Sequence, residues 1–328
     1  MKTTILNKVK IFNFKLLQFL KLLFIITPNS FKGVTALKFK TALLISVSIL
    51  FFLTSCSTNK QIKNLESEQI TYTNLSGENS INTLKNILQN KISETNLNSF
   101  LNDVIKYNSV VKDLADDFTT SNEVPVNYDM YKIITEIQNN FDPNFVGNNC
   151  RITTFELMKD FIDLNIKREE SQNLIFDNDS IKYQKKFNDD DFYKFNTFYK
   201  TVITEPTKDI NRHVESMKKY FDEINLKFNL LENLSIISVV FHDDLDNPIH
   251  KLFVGHTGVL IEENGEFYFI EKLSLELPYQ VVKFRNKEEL NEYLMKTYDT
   301  SWEQTTAKPF ILENLDLMKE YKPLTKEQ

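Results

Sequence analysis

Apolar side chains recur at helical spacing in the first part of the chain body, between residues 69 and 165. Three groups carry this period: Leu84, Ile87 and Leu88, then Phe100, Leu101, Val104 and Ile105, then Tyr131, Ile133, Ile134 and Ile137. Such spacing places the apolar side chains on one face of a helix. We therefore predict three helices here, followed by a polar loop over residues 142–149 and a fourth helix over residues 151–165.

The period changes to that of β-strands after residue 233. Before this point two further helices are predicted at 191–203 and 207–224, because a proline at position 206 forces a break between them. Runs rich in β-branched and aromatic residues then follow at 234–242, 251–261, 266–273 and 279–284, and a last helix is predicted at about 286–297. Helices first and an antiparallel sheet afterwards indicate the α+β class.

A twelve-residue apolar run, 42–53, follows two lysines near the start of the chain. At a rise of about 1.5 Å per residue it reaches only about 18 Å, too short for a hydrocarbon core of about 30 Å but suited to the apolar part of a signal peptide. An uncleaved anchor or a buried strand is the alternative. The polar residues 57–68 after it are typical of a tether.

The stretch Leu53-Thr54-Ser55 before Cys56 resembles the lipobox of bacterial lipoproteins. This resemblance implies that the Cys56 thiol is acylated, for instance with palmitate, and becomes the mature N-terminus. The expected protein is exported and anchored in the cell envelope through a lipid in the membrane. We expect four segments: a lipoprotein signal peptide over 1–55, a tether over 56–68, a single α+β domain over 69–316, and a charged tail over 317–328.

Charge argues against a nucleic-acid partner. The chain has 328 residues with 39 basic and 45 acidic side chains, and eight of the lysines precede Cys56 in a segment without acidic residues. Without these eight, 31 basic side chains stand against 45 acidic ones, a net charge of −14, which phosphate backbones would repel. The chain has six glycines and neither a P-loop nor a GxGxxG motif, and we expect no cofactor.

If Cys56 carries a lipid, Cys150 is the remaining thiol of an exported protein. Such a cysteine is buried and inert, bridged to another molecule, or kept for its reactivity. Asn149 can cap the helix that follows, which would place the sulfur at the positive end of that helix and favour the thiolate. The competing cap is Thr153, which has capping-box spacing with Glu156.

A thiol nucleophile needs a base, and the chain has four histidines. Of these, His256 alone lies inside a predicted strand, with Gly255 and Gly258 leaving space around its ring. The other three, His213, His242 and His250, lie in a charged helix or beside an acidic turn. That turn has residue types suited to a divalent cation, but its spacing fits no EF-hand, and we expect no metal.

The turn of one hairpin predicts a partner for His256. Asn264-Gly265 is the strongest short-range hairpin signal, and with these residues at the turn, position 258 pairs with Glu271. Glu271 then shares a sheet face with His256, about 7–8 Å away across the diagonal, with Gly258 adding no side chain between them. A carboxylate here would hold one tautomer of the imidazole. The alternative is an exposed glutamate paired with a lysine at 251 or 272.

This order of residues resembles the papain-like amidases and peptidases of the NlpC and CHAP type: a cysteine at a helix start, then a His-x-Gly strand, then a polar residue on the next strand. The resemblance implies a papain-like core with Cys150 as the nucleophile, His256 as the general base and Glu271 as the orienting residue. The backbone N–H of Cys150, with Asn149 or Asn148, would form the oxyanion site. The implied substrate is an amide bond in a peptide or in peptidoglycan.

One departure keeps a second hypothesis open. Arg151 and Ile152 follow Cys150, where NlpC-like enzymes have two small residues and papain has a tryptophan. The alternative function is therefore a papain-like binding lipoprotein of the cell envelope without turnover.

Over most of residues 69–316 the chain also resembles a group of uncharacterised bacterial lipoproteins, the domain-of-unknown-function family DUF4300. The shared motifs are NCRIT at 149–153, GHTGVL at 255–260, IEKLS at 270–274 and PYQ at 278–280. This resemblance implies an extracytoplasmic location and a shared fold, and it assigns no activity.

Overall fold

The computed structural model describes residues 69–140, 147–301 and 303–325. The predicted signal peptide, the lipidation site Cys56 and the tether lie outside these residues. The described residues belong to one compact unit. None of their helices is both long and apolar enough to cross a membrane.

The described part is a mixed α+β structure with eight α-helices and a large antiparallel sheet. The helices are α1 (Glu78–Leu88), α2 (Glu94–Val110), α3 (Met130–Asn140), α4 (Cys150–Met158), α5 (Ile175–Gln184), α6 (Asp189–Phe198), α7 (Ile210–Glu223) and α8 (Lys287–Tyr298). The strands are β1 (Ile70–Thr73), β2 (Thr119–Ser121), β3 (Ile162–Asp163), β4 (Val202–Thr204), β5 (Lys227–Phe228), β6 (Leu234–Asp246), β7 (Ile249–Glu263), β8 (Glu266–Lys272), β9 (Tyr279–Phe284), β10 (Phe310–Glu313) and β11 (Asp316–Leu317).

The main sheet has the strand order β11-β10-β6-β7-β8-β9-β1-β2, and β4 adds to part of β7. Each pairing is antiparallel. Strands β3 and β5 form a separate two-stranded pair. The long strands β6 and β7 thus lie near the middle of the sheet, which suits their buried, β-branched sequences.

Two hydrophobic cores cover the two faces of the sheet. The larger core joins the sheet to helices α1 to α7, with Phe100, Ile152 and Phe195 among its fully buried side chains. The smaller core lies on the opposite face, where Leu290 and Leu294 of α8 pack against the strands. The sheet is therefore a middle layer, with most helices on one face and α8 on the other.

Several elements differ from the sequence prediction. Helix α4 ends at Met158 rather than at 165, and a single 3-10 turn and the short strand β3 follow it. Strands β1 and β2 come from the segment expected to be helical, so the chain does not place all helices before the sheet. Part of the predicted charged tail is packed, since Met318 is 2% exposed and the Tyr321 hydroxyl donates to the Pro309 carbonyl at 2.9 Å.

Candidate functional site

Cys150 is the first residue of α4, and Asn149 is the cap. The Asn149 side-chain oxygen accepts a hydrogen bond from the backbone N–H of Ile152 at 3.0 Å. This settles the choice of cap in favour of Asn149 over Thr153. The N–H groups at the first two helical positions have no acceptor within the helix, and the helix dipole is positive here. The thiol therefore lies where negative charge is stabilised.

The start of α4 fills a gap along one edge of β7. On this edge β4 pairs with residues 250–252 and β8 pairs with residues 258–263. Among the described residues, no strand pairs with residues 253–257 on this edge. Arg151 donates from Nη1 to the Val254 carbonyl at 3.0 Å, and the Cys150 sulfur lies 4.0 Å from the Gly255 carbonyl oxygen. The helix thus brings the thiol to the strand that carries His256.

A β-bulge at Gly255 turns His256 toward the face of α8. In the pairing of β6 with β7, Val239 faces His256 and the next residue, Val240, faces Val254, so Gly255 is the extra residue. Side chains two apart on a regular strand share a face, but the bulge changes the phase. Val254 packs against the larger core, whereas the His256 ring stacks on Tyr298 of α8 at a centroid distance of 4.8 Å.

Glu271 meets His256 as the hairpin register predicted. Gly258 pairs with Glu271, and His256 Nε2 lies 2.6 Å from Glu271 Oε2. Both residues are about 1% exposed. A side chain at Gly258 would not fit, because a Cβ there would lie 2.5 Å from ring atoms of Phe269. The alternative of an exposed, lysine-paired Glu271 is wrong.

The thiol and the imidazole shift the pKa of each other. Burial alone would raise the pKa of Cys150, but the hydrogen bond to His256 and the positive charges of His256 and Arg151 outweigh it and lower the pKa of the thiol. Burial alone would lower the pKa of His256, but its bonds to Cys150 and Glu271 raise that pKa to about 9. These opposite shifts both favour the form of the pair in which a thiolate stands beside an imidazolium.

Arg151, a departure from the NlpC pattern, has a clear role in holding the site together. Its guanidinium forms a two-pronged pair with Asp177 of α5, with Nε–Oδ1 at 2.9 Å and Nη2–Oδ2 at 2.8 Å. Asp177 is 1% exposed and also accepts from the Asn149 amide at 2.8 Å. One buried carboxylate therefore fixes the residues on both sides of Cys150. Sequence reasoning missed Asp177 because no local pattern marks it.

The side chains of Asn148 and Asn149 are both engaged in the structure. The Asn148 amide donates to Asp103 at 2.6 Å, and its oxygen accepts from Gln184 at 2.9 Å. Asn149 caps α4 through its oxygen and binds Asp177 through its amide. The predicted oxyanion site, formed by the backbone N–H of Cys150 with Asn149 or Asn148, stays a prediction.

The other three histidines form a cluster of their own. The His242 ring lies 4.4 Å from that of His213 and 5.0 Å from that of His250, centroid to centroid. His242 Nδ1 accepts from the Ala307 N–H at 2.9 Å, so its Nε2 carries the proton and donates to His250 Nδ1 at 2.9 Å. Among the described residues, no group of three or more His, Cys, Asp or Glu side chains is placed to hold a metal ion.

Burial sets the protonation of this cluster. Burial lowers the pKa of His242 to about 4. The charges of His213 and His250 lower this pKa further, whereas Asp244 raises it. Burial also lowers the pKa of His213, against the opposing effects of the Thr207 carbonyl and of Asp209 and Glu205. These two histidines are therefore neutral at pH 7, in contrast to His256.

The family of the chain is known. The model of the family described as "Domain of unknown function (DUF4300)" matches residues 71–318. The chain belongs to this family. Comparison with curated proteins finds no match, and comparison with solved structures finds none either.

Proposed function

We propose that this protein is a lipid-anchored, exported thiol hydrolase that cleaves an amide bond. Cys150 is the nucleophile, His256 the general base and acid, and Glu271 the residue that orients His256. One observation carries the proposal: a thiol at a helix start, an imidazole and a carboxylate come together from three separate elements, with Glu271 Oε2 2.6 Å from His256 Nε2 and with Cys150 and His256 each shifting the pKa of the other. A papain-like core is part of this proposal.

The chemistry follows from the charges of the pair. The Cys150 thiolate attacks the amide carbonyl, and the backbone N–H of Cys150 supports the oxyanion. The C–N bond breaks as His256 gives its proton to the leaving amine, which leaves a thioester on the sulfur. A water molecule then loses a proton to His256 and hydrolyses the thioester, which restores the thiolate and imidazolium.

The location narrows the substrate class. The lipobox-like stretch before Cys56 supports export and attachment to a membrane by an acylated cysteine. Amide bonds at such a location include those of peptides and of the peptide part of peptidoglycan, and we propose cell-wall peptide as the substrate. The net charge of −14 after Cys56 supports neither DNA nor RNA as a partner.

A binding role without turnover is the second candidate, and one observation favours it. Cys150 is 6% exposed and His256 is 1% exposed, so little of either group meets solvent. Arg151 and Gly255 beside the sulfur are only partly buried, and we propose this side for the approach of a substrate carbonyl. If that approach stays closed, the fold would hold a peptide ligand without cleaving it.

The reactivity of Cys150 tests the proposal. In a Cys56→Ser variant, which leaves Cys150 as the one thiol of the sequence, the iodoacetamide rate is measured against pH. We expect alkylation to begin below the ordinary thiol value of about pH 8.5. A second rise is expected near pH 9, where His256 loses its proton. In the His256→Ala variant, the midpoint of the alkylation profile should move to about pH 8.5 or above.

Cleavage separates the two candidate functions. Peptidoglycan fragments are incubated with the wild-type protein and with Cys150→Ala, and the products are followed by mass spectrometry. Cleavage by the wild-type protein that is lost in Cys150→Ala supports the hydrolase. A wild-type thiol that titrates near pH 8.5 and does not respond to His256→Ala would contradict the hydrolase.

A further inference from the structure

Glu271 receives more hydrogen bonds than the one to His256. Its other oxygen, Oε1, accepts from the amide of Gln280 at 3.1 Å and from the hydroxyl of Tyr293. Gln280 is the direct cross-strand neighbour of Glu271 on β9, and Tyr293 comes from α8. All three side chains are 2% exposed or less. The carboxylate is therefore held by donors from two further elements, β9 and α8.

The direction of each bond in this network is fixed by the donors. The Gln280 amide donates to Tyr293 Oη at 2.9 Å, so the Tyr293 proton is directed to Glu271. The Gln280 oxygen accepts from the Tyr128 hydroxyl at 2.7 Å, and Tyr128 accepts from the Asn74 amide at 2.8 Å. This order settles the orientation of the Gln280 amide, with its nitrogen toward Glu271.

Two donors end on Glu271 Oε1, and its other oxygen, Oε2, faces His256. The raised pKa of His256 favours the imidazolium, which donates from both ring nitrogens, so Nε2 donates to Oε2 and Nδ1 is the nitrogen left for the thiol. The ring also stacks on Tyr298, the second tyrosine of α8 at the site. The orientation of the His256 ring thus depends on Glu271 and on the residues that hold Glu271.

We infer that Tyr293 and Gln280 are positioning residues of the site: their hydrogen bonds to one oxygen of Glu271 hold its other oxygen against His256. This inference rests on the proposed function and deepens it, since it names what keeps the orienting residue in place. Without these donors a glutamate, with three rotatable bonds, has other orientations that leave the imidazolium unsupported. The thiolate and imidazolium pair would then be less favoured.

The test uses the pH profile of Cys150 alkylation, which needs no substrate. Tyr293→Phe keeps the ring that packs 5.5 Å from that of Phe284 and removes only the hydroxyl. Gln280→Met keeps the length of the side chain and removes the amide. We expect each variant to raise the pH at which alkylation begins by about one unit, which is about a tenfold slower rate at pH 6, and the double variant to raise it further.

Tyr220→Phe is the matched control. Tyr220 also buries its hydroxyl, which donates to the Thr197 carbonyl at 2.6 Å, but it has no bond to the Glu271 network. Its variant should alkylate as the wild type does, while thermal unfolding checks that each variant is folded. One contrary result is a wild-type thiol that titrates below the ordinary value while both single variants and the double variant keep the wild-type profile. That result overturns this inference and leaves the proposed function standing. An equal shift in Tyr220→Phe overturns it as well, whereas an ordinary wild-type thiol refutes the proposed function itself.

Discussion

Arg151 shows how one residue next to Cys150 can serve both structure and charge. It binds Asp177 through two parallel hydrogen bonds and the Val254 carbonyl through a third. The planar guanidinium group of arginine suits this geometry, and a lysine side chain could not form the same parallel hydrogen bonds. A bulky residue after the cysteine is thus accommodated because it reaches across to β7 and α5 rather than packing against the helix.

Replacing Arg151 by Met should destabilise the protein by about 3 kcal/mol, because it leaves the buried Asp177 carboxylate without its cation. The added change Asp177→Asn should recover part of that loss, since it removes the unpaired charge. Urea unfolding of the single and double variants measures both effects. A single variant as stable as the wild type would show that the pair does not hold α4 in place.

Residue-scale prediction from the sequence succeeded where chain geometry is local. The Asn264-Gly265 turn determined the register, and the register placed Glu271 beside His256. The roles of Asp177 and Tyr293 were not predictable, because they depend on how α5 and α8 pack against the sheet. No spacing in the sequence records such contacts.

At the scale of elements, the long strands and seven of the eight described helices were predicted, whereas helix α5 and the short strands were not. Strands β6 to β9 were expected at nearly their observed positions, because their β-branched runs are long and bounded by turn residues. Strands β1 and β2 have four and three residues, which is too short for an alternating pattern to be distinguished. Their place in the sheet comes from the pairing of β1 with β9 and of β2 with β1 rather than from their own sequence.

The cluster of His213, His242 and His250 joins α7 to the hairpin of β6 and β7, and it should make stability depend on pH. The pKa values of His213 and His242 are lower in the folded state than the unfolded value of about 6.5. The unfolded chain therefore binds more protons as the pH falls below 6.5. The free energy of unfolding should decrease from pH 6.5 to pH 5.

A substitution that cannot titrate isolates this effect. His242→Gln should reduce the slope of unfolding free energy against pH over that range, measured by urea unfolding at several pH values. His256→Gln should not reduce it, because the pKa of His256 is shifted upward, to about 9, and its contribution is lost only as the pH rises. An unchanged slope in His242→Gln would count against the cluster as the source.

At the scale of the whole molecule, the two cysteines of the chain have separate predicted tasks. Cys56→Ser should release the protein from the membrane fraction and abolish incorporation of labelled palmitate, because the acylated thiol is lost. Cys150→Ser should leave both unchanged. Fractionation of cells that express each variant gives the comparison, and a Cys56→Ser protein that still carries palmitate and stays with membranes would contradict the predicted anchor.

The extra residue at Gly255 has a consequence for how this strand can change over time. On a regular strand of this length Val254 and His256 would share a face, so loss of the bulge without a change of length would turn His256 toward the larger core and away from α8. Loss of Gly255 itself would make Val254 and His256 neighbours that keep their opposite faces, but the carbonyl that lies 4.0 Å from the Cys150 sulfur would be lost with it. The length and phase of β7 are therefore as much a part of the site as the side chains themselves.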